Sequence, residues 1–190
     1  VAPDGRHYYP AFPYTSYTRM TWQDLVDLKA WLDTFPPAGQ GVAAHELPFP
    51  WNVRRGIGLW KRLYLADDWV LSTAPTPEVR RGRYLVEALG HCGECHTPRD
   101  RLGGLDAAAW LAGAPEPAGE GRVPNITPDE AALGDWSVSD LAYYLKTGFT
   151  PEFDTVGGSM VEVQENLAQL SDEDRAAIAA YMRSVAPVAP

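Results

Sequence analysis

Cys92-Gly93-Glu94-Cys95-His96 holds both cysteines of this 190-residue chain, and the rest of the sequence is read outward from it. The C-x-x-C-H spacing is that of a c-type haem attachment site. Each thiol can form a thioether to one vinyl group of the ring, and the adjoining imidazole is placed to ligate the iron. Three blander readings compete. A disulfide across two intervening residues gives His96 no role. A zinc site needs four N, S or O ligands; with no third cysteine it would recruit His7, His45 or His91 at no recognisable spacing. A thioredoxin-like pair needs a preceding strand and a βαβ context, and neither is legible. The haem reading uses all three side chains and is preferred.

The length suits one ordinary domain, or one small domain with a sizeable extension. A hydrophobic content of 45% fits a globular protein, and no apolar run approaches the ~20 residues of a membrane span. Val1-Ala2-Pro3-Asp4 lacks the basic and apolar regions of a leader. Covalent haem attachment nonetheless implies export, so a leader removed or lying outside this chain is expected, with a periplasmic location. The formal charge of −9 argues against nucleic-acid binding, which needs a basic footprint, and suits docking to a basic patch on a redox partner. Seventeen Pro and seventeen Gly indicate a loop-rich chain in which a cofactor organises much of the core.

Four helices are expected. Thr21 caps a run with Leu25, Leu28, Trp31 and Leu32 at helical spacing, ended by Pro36-Pro37. Thr76-Pro77-Glu78 is a cap with Pro at the first helical position; it opens a helix through Tyr84, Leu85 and Leu89 that delivers the chain to Cys92. Ser137 with Asp140 caps a helix to about Lys146, terminated by Gly148. Ser171 with Asp174 caps a last helix through Ile178, Tyr181 and Met182, ended by Pro187. A weaker helix over Val53–Leu65 is interrupted by Gly56 and Gly58. No alternating strand pattern stands out. Residues 20–37 also align without gaps on 170–187, with cap, apolar face, aromatic and terminating Pro coinciding. Two capped amphipathic helices can look alike by chance. The sharper reading makes residues 1 to about 37 the tail of an earlier copy of the domain at 77–190.

With His96 alone an iron is five-coordinate and open to ligands, whereas a Met on the other face closes the site for electron transfer. Met182 lies inside the last helix and reads as core. Met20 directly precedes a cap, the place of a hydrophobic staple. Met160 lies in Val156-Gly157-Gly158-Ser159-Met160, read as a flexible loop of small residues that can approach a haem face, and is the expected second axial ligand. The Pro98 carbonyl, or a neighbouring one, is a candidate acceptor for the His96 ring N–H. Arg99, Arg101 and Arg122 are candidate partners for the haem propionates, with Asn125 and Trp136 as candidate hydrogen-bond donors to them. Tyr143 and Tyr144 are expected to pack around the ring, and His91 to be a helix-end residue.

Gly90–Arg99, Asn125-Ile126-Thr127-Pro128, Gly134-Asp135-Trp136-Ser137 and Gly158-Ser159-Met160 with the following helix resemble a class I cytochrome c domain. More narrowly, the chain is similar to the multi-haem cytochrome subunits of membrane-associated alcohol, gluconate and related dehydrogenases. Gly5–Tyr14 and Glu46-Leu47-Pro48-Phe49-Pro50 resemble the end of the first haem domain and the linker of that family. Two departures matter. The family's first domain opens with its own C-x-x-C-H, which no residue before Val1 supplies here. Many relatives also carry Met where this chain has Phe12. Phe12 cannot ligate iron, so a first haem would need Met20 or another ligand.

The resemblance implies an all-α fold: a class I cytochrome c haem domain at 77–190, preceded at 1–76 by a helix-and-loop extension, the remnant of a preceding cytochrome c domain plus linker. It implies one covalent haem c through Cys92 and Cys95, with His96 and Met160 on the iron and Pro98, Asn125 and Trp136 around it. The implied role is an electron carrier, not an enzyme, relaying electrons from a dehydrogenase partner towards a quinone or terminal oxidase. Any membrane association would run through parts outside this chain. The alternative is an open-site haem protein, a peroxidase or gas-binding sensor.

Overall fold

Gly82 sits where two helices cross. A Cβ there would lie 1.9 Å from the Ala177 carbonyl oxygen and 2.8 Å from the Tyr181 Cβ, so only glycine lets the two helices approach this closely. The computed structural model that shows this describes residues 1–39, 41, 43–116 and 121–189. The chain divides into two compact units, Val1–Asp67 and Asp68–Pro190.

The second unit carries α4 (Pro77–Tyr84), α5 (Gly93–His96), α6 (Val138–Thr147), α7 (Met160–Leu167) and α8 (Asp172–Met182). Thr76, Ser137 and Ser171 cap α4, α6 and α8 as their sequences predict, each side chain accepting from the backbone N–H three residues on. Gly148, at φ 76°, ends α6 in the left-handed conformation. The α-helix of α4 stops at Tyr84, and a wider π-helical turn, Leu85–Leu89, continues it. This turn buries Leu85, Val86, Glu87 and Ala88 in succession. The core forms where α4 crosses α8 and α6 lies along α8, with Leu85, Val86, Trp110, Leu111, Leu141, Leu145, Ile178 and Tyr181 at its centre.

Two sequence expectations change here. A small antiparallel pair, β1 (Ala114–Pro115) with β2 (Arg122–Val123), exists where no strand was expected. Strands of two residues are too short to show alternation. Met160 is not in a loop: it is the first residue of α7, and the loop of small residues ends at Ser159, with Gly158 at φ 60°. Helix α7 has no side-chain N-cap bond, so its start lacks a signature in the sequence. Its C-terminal end is held by the buried Arg175, whose guanidinium donates to the carbonyls of Leu167 (3.2 Å), Ala168 (2.9 Å) and Leu170.

The first unit carries α1 (Tyr14–Tyr17), α2 (Trp22–Leu32) and α3 (Arg55–Tyr64); α3 lies inside the expected weak helix. Helix α2 spans the same aligned positions as α8, eleven residues in each. Thr21 caps it by accepting from Asp24 N, as Ser171 accepts from Asp174 N. Arg54 donates to the His7 carbonyl (3.0 Å) and lies over the Tyr9 ring, 4.6 Å from its centroid.

Candidate haem-attachment site

The π turn leads into the C-x-x-C-H segment through His91, which takes φ 40° to redirect the chain. Cys92 N donates to Val86 O (3.1 Å), and His96 N to Cys92 O (3.0 Å), closing α5 as one helical turn. The two cysteines and the histidine therefore leave one short turn at positions i, i+3 and i+4, on neighbouring faces. Both thiols are unpaired. Gly93 is where the turn meets the core: a Cβ there would lie 2.2 Å from the Trp110 ring. Arg99 braces the turn from outside, donating to the Glu94 carboxylate (2.6 Å) and carbonyl (3.2 Å).

His96 is fixed at backbone and ring. Gly113 N donates to its carbonyl (2.7 Å), and buried Thr97 accepts from Leu111 N (3.0 Å). The imidazole is 7% exposed, with Nδ1 2.8 Å from the Pro124 carbonyl oxygen. A carbonyl only accepts, so the ring proton sits on Nδ1 and Nε2 keeps its lone pair. Burial lowers the His96 pKa, against opposing effects of the Pro124 bond and the Glu116 charge; the neutral, ligating form is favoured. The acceptor is Pro124 rather than the candidate Pro98, whose carbonyl accepts from Asp106 N (2.9 Å). Burial pushes the Cys92 thiol up to about 11. Cys95 is raised too, by burial and then by Glu116 and Glu94.

The other candidates are placed as follows. Met160 is half-buried at the start of α7. Its neighbour Ser159 meets Glu116 (Oγ to Oε1, 3.4 Å), the carboxylate whose charge acts on Cys95 and His96. Asn125 donates to Val188 O (2.7 Å) and accepts from Thr127 N (2.8 Å), tying the loop after Pro124 to the C-terminal segment. Trp136 packs edge-on to Tyr144, ring centroids 5.5 Å apart; Tyr143 is exposed. Met182 is buried in the core. Val138 on α6, Val163 on α7, and Phe149 and Phe153 between them are exposed.

These residues fit a covalently attached haem: two free thiols at thioether spacing, and an imidazole whose tautomer presents Nε2. Among the described residues no three His, Cys, Asp or Glu side chains converge, so the zinc reading has no ligand set. The segment before the motif is helical, which leaves the thioredoxin-like reading without its strand.

Residues 79–186 match the family model for cytochrome c. The chain belongs to the cytochrome c family. This cytochrome is 54% identical over 185 residues to a diheme cytochrome c-type protein of Cereibacter sphaeroides, covering 97% of this chain and 62% of that protein. It is 39% identical to the fructose dehydrogenase cytochrome subunit of Gluconobacter japonicus, covering 97% of this chain and 38% of that one. It is 34% identical to the gluconate 2-dehydrogenase cytochrome c subunit of Pantoea cypripedii, covering 97% and 44%. The chain thus spans less than two thirds of each of these relatives. Among the described residues no helix is long and apolar enough to cross a membrane.

Proposed function

We propose that this chain carries single electrons through one haem c, held by thioethers from Cys92 and Cys95 and ligated by His96 and Met160. It would take electrons from a dehydrogenase subunit and pass them to a quinone or terminal oxidase on the periplasmic side, with no substrate chemistry of its own. The observation that carries this reading is the His96 ring, buried and pinned through Nδ1 to Pro124 next to two free cysteines. A haem bound there supplies one-electron exchange between iron(III) and iron(II). The protein's part is positional. Arg99 and Trp110 brace the turn that bears the cysteines, and the Pro124 carbonyl orients the imidazole and raises its basicity. Met160 would close the opposite face against water, and the Ser159–Glu116 contact supports its placement.

The test is optical. Oxidised protein at neutral pH is expected to show the far-red Met–iron(III) charge-transfer band, and Met160→Ala to lose it while the haem stays attached. A wild-type protein without that band favours an open, ligand-binding haem and removes Met160 from the iron. His96→Ala is expected to abolish the low-spin spectrum altogether.

The first unit reads as the end of a preceding cytochrome c domain. Support comes from α2 and α8, which share length, cap and alignment register. The intact mass of the purified chain counts its haems: one is expected, and two would overturn the remnant reading.

A further inference from the structure

Glu87 is completely buried, and the electron-transfer reading gives it no role. Its carboxylate receives three hydrogen bonds: from Tyr181 Oη (2.7 Å), Val70 N (2.7 Å) and Leu71 N (3.0 Å). All three partners are donors, the surroundings of an anion. Tyr181, also 0% exposed, accepts in turn from Trp110 Nε1 (2.9 Å). Burial and the neighbouring Glu87 charge push the Tyr181 hydroxyl far above its ordinary value, so it stays protonated and able to donate. Trp110 is the ring pressed against Gly93, and Cys92 packs against the core cluster that contains Tyr181. The network therefore sits directly behind the attachment turn, inside the core.

A neutral acceptor would hold the Val70 and Leu71 amides at much lower desolvation cost. The charge calls for another explanation. We propose that Glu87 is a buried anion that holds down the reduction potential of the haem attached beside it, with Tyr181 and Trp110 as positioning residues that fix its distance and partly screen it. A fixed negative charge in a low-dielectric interior stabilises the oxidised iron, which carries one more positive charge, over the reduced iron. The couple remains one electron with no proton. This rests on the haem site proposed above but not on Met160.

The experiment is a redox titration of wild-type protein and the variants Glu87→Gln, Glu87→Asp and Tyr181→Phe, with haem attached. Glu87→Gln should favour reduction by about tenfold, about 59 mV for a one-electron couple. Glu87→Asp keeps the charge and should shift the potential far less, even if it melts earlier. Tyr181→Phe removes a screening dipole but not the charge, and should lower the potential. A merely structural role predicts a different pattern for the Glu87 variants: both loosen the turn, admit water and lower the potential. An unchanged or lowered potential in Glu87→Gln overturns the proposal. Should Glu87→Gln fail to assemble, the other two variants decide together: an unshifted Glu87→Asp beside a lowered Tyr181→Phe supports the proposal, and a lowering in both or in neither overturns it. Absence of haem from the wild-type protein overturns the attachment reading and this one with it.

Discussion

Helices α2 and α8 have equal length and the same type of cap, yet α8 buries six of its residues and α2 buries none. Trp31 aligns with Tyr181 and Leu28 with Ile178. Tyr181 and Ile178 are 0% and 3% exposed, whereas Trp31 and Leu28 are 57% and 42% exposed. A cap and an apolar stripe are thus enough to make the helix; a partner is needed to bury it. Helix α8 has that partner in α4, which brings Gly82 against Ala177 and pairs Arg81 with Asp174 at 2.7 and 2.9 Å.

Matched substitutions turn the contrast into measurements. Tyr181→Ala should cost about 4 kcal/mol, since it opens a cavity and strands Glu87 and Trp110, whereas Trp31→Ala should stay within about 0.5 kcal/mol. Urea unfolding followed by haem absorbance and far-UV circular dichroism measures both, and equal costs would break the comparison. Gly82→Ala should follow at about 3 kcal/mol, because the new methyl collides with backbone rather than with a movable side chain. Ser171→Ala and Thr21→Ala should each cost about 1 kcal/mol locally, sharpening the point that the caps are alike where the packing is not. Asp174→Asn should be smallest, about 0.5 kcal/mol for a partly exposed pair. The Arg81 bond holds the Asp174 carboxyl below its ordinary value of 3.8. Its contribution is therefore complete above pH 3.8 and is lost as pH falls through the lower folded value. An acid titration of the wild type against Asp174→Asn should show the two curves converging below that point.

What the sequence made legible was local. The C-x-x-C-H turn, three side-chain caps of the second unit and the repeat of α8 in α2 are all written within a few residues. Helix α7 was missed because no side chain caps it. The acceptor for His96 was assigned too close in sequence: Pro124 lies 28 residues away and arrives by the fold of the intervening loop, while Pro98 is spent on Asp106. Nothing in the local sequence marks Glu87 as buried. The π turn rotates it inward, and its partners come from residues 70, 71 and 181, which no local pattern relates. Trp110 gave no sign of its position because Gly93, its counterpart, reads in the sequence only as a spacer between two cysteines.

The crossing of α4 on α8 joins Arg81 to Asp174 and places Tyr181 in the core against which Cys92 packs. A growing chain exposes the cysteines long before it contains α8, and closing so long a loop comes late in folding. Cys92 therefore passes from open to half-buried once α8 packs, while Cys95 stays exposed, which gives covalent modification of Cys92 a window in time. A chain truncated before Ser171 should react with a thiol reagent at both cysteines at similar rates. The full-length apoprotein, with the Cys92 thiol pushed up to about 11, should react there more slowly than at Cys95. The packing of α8 thus bears on how long Cys92 stays open to its attachment chemistry.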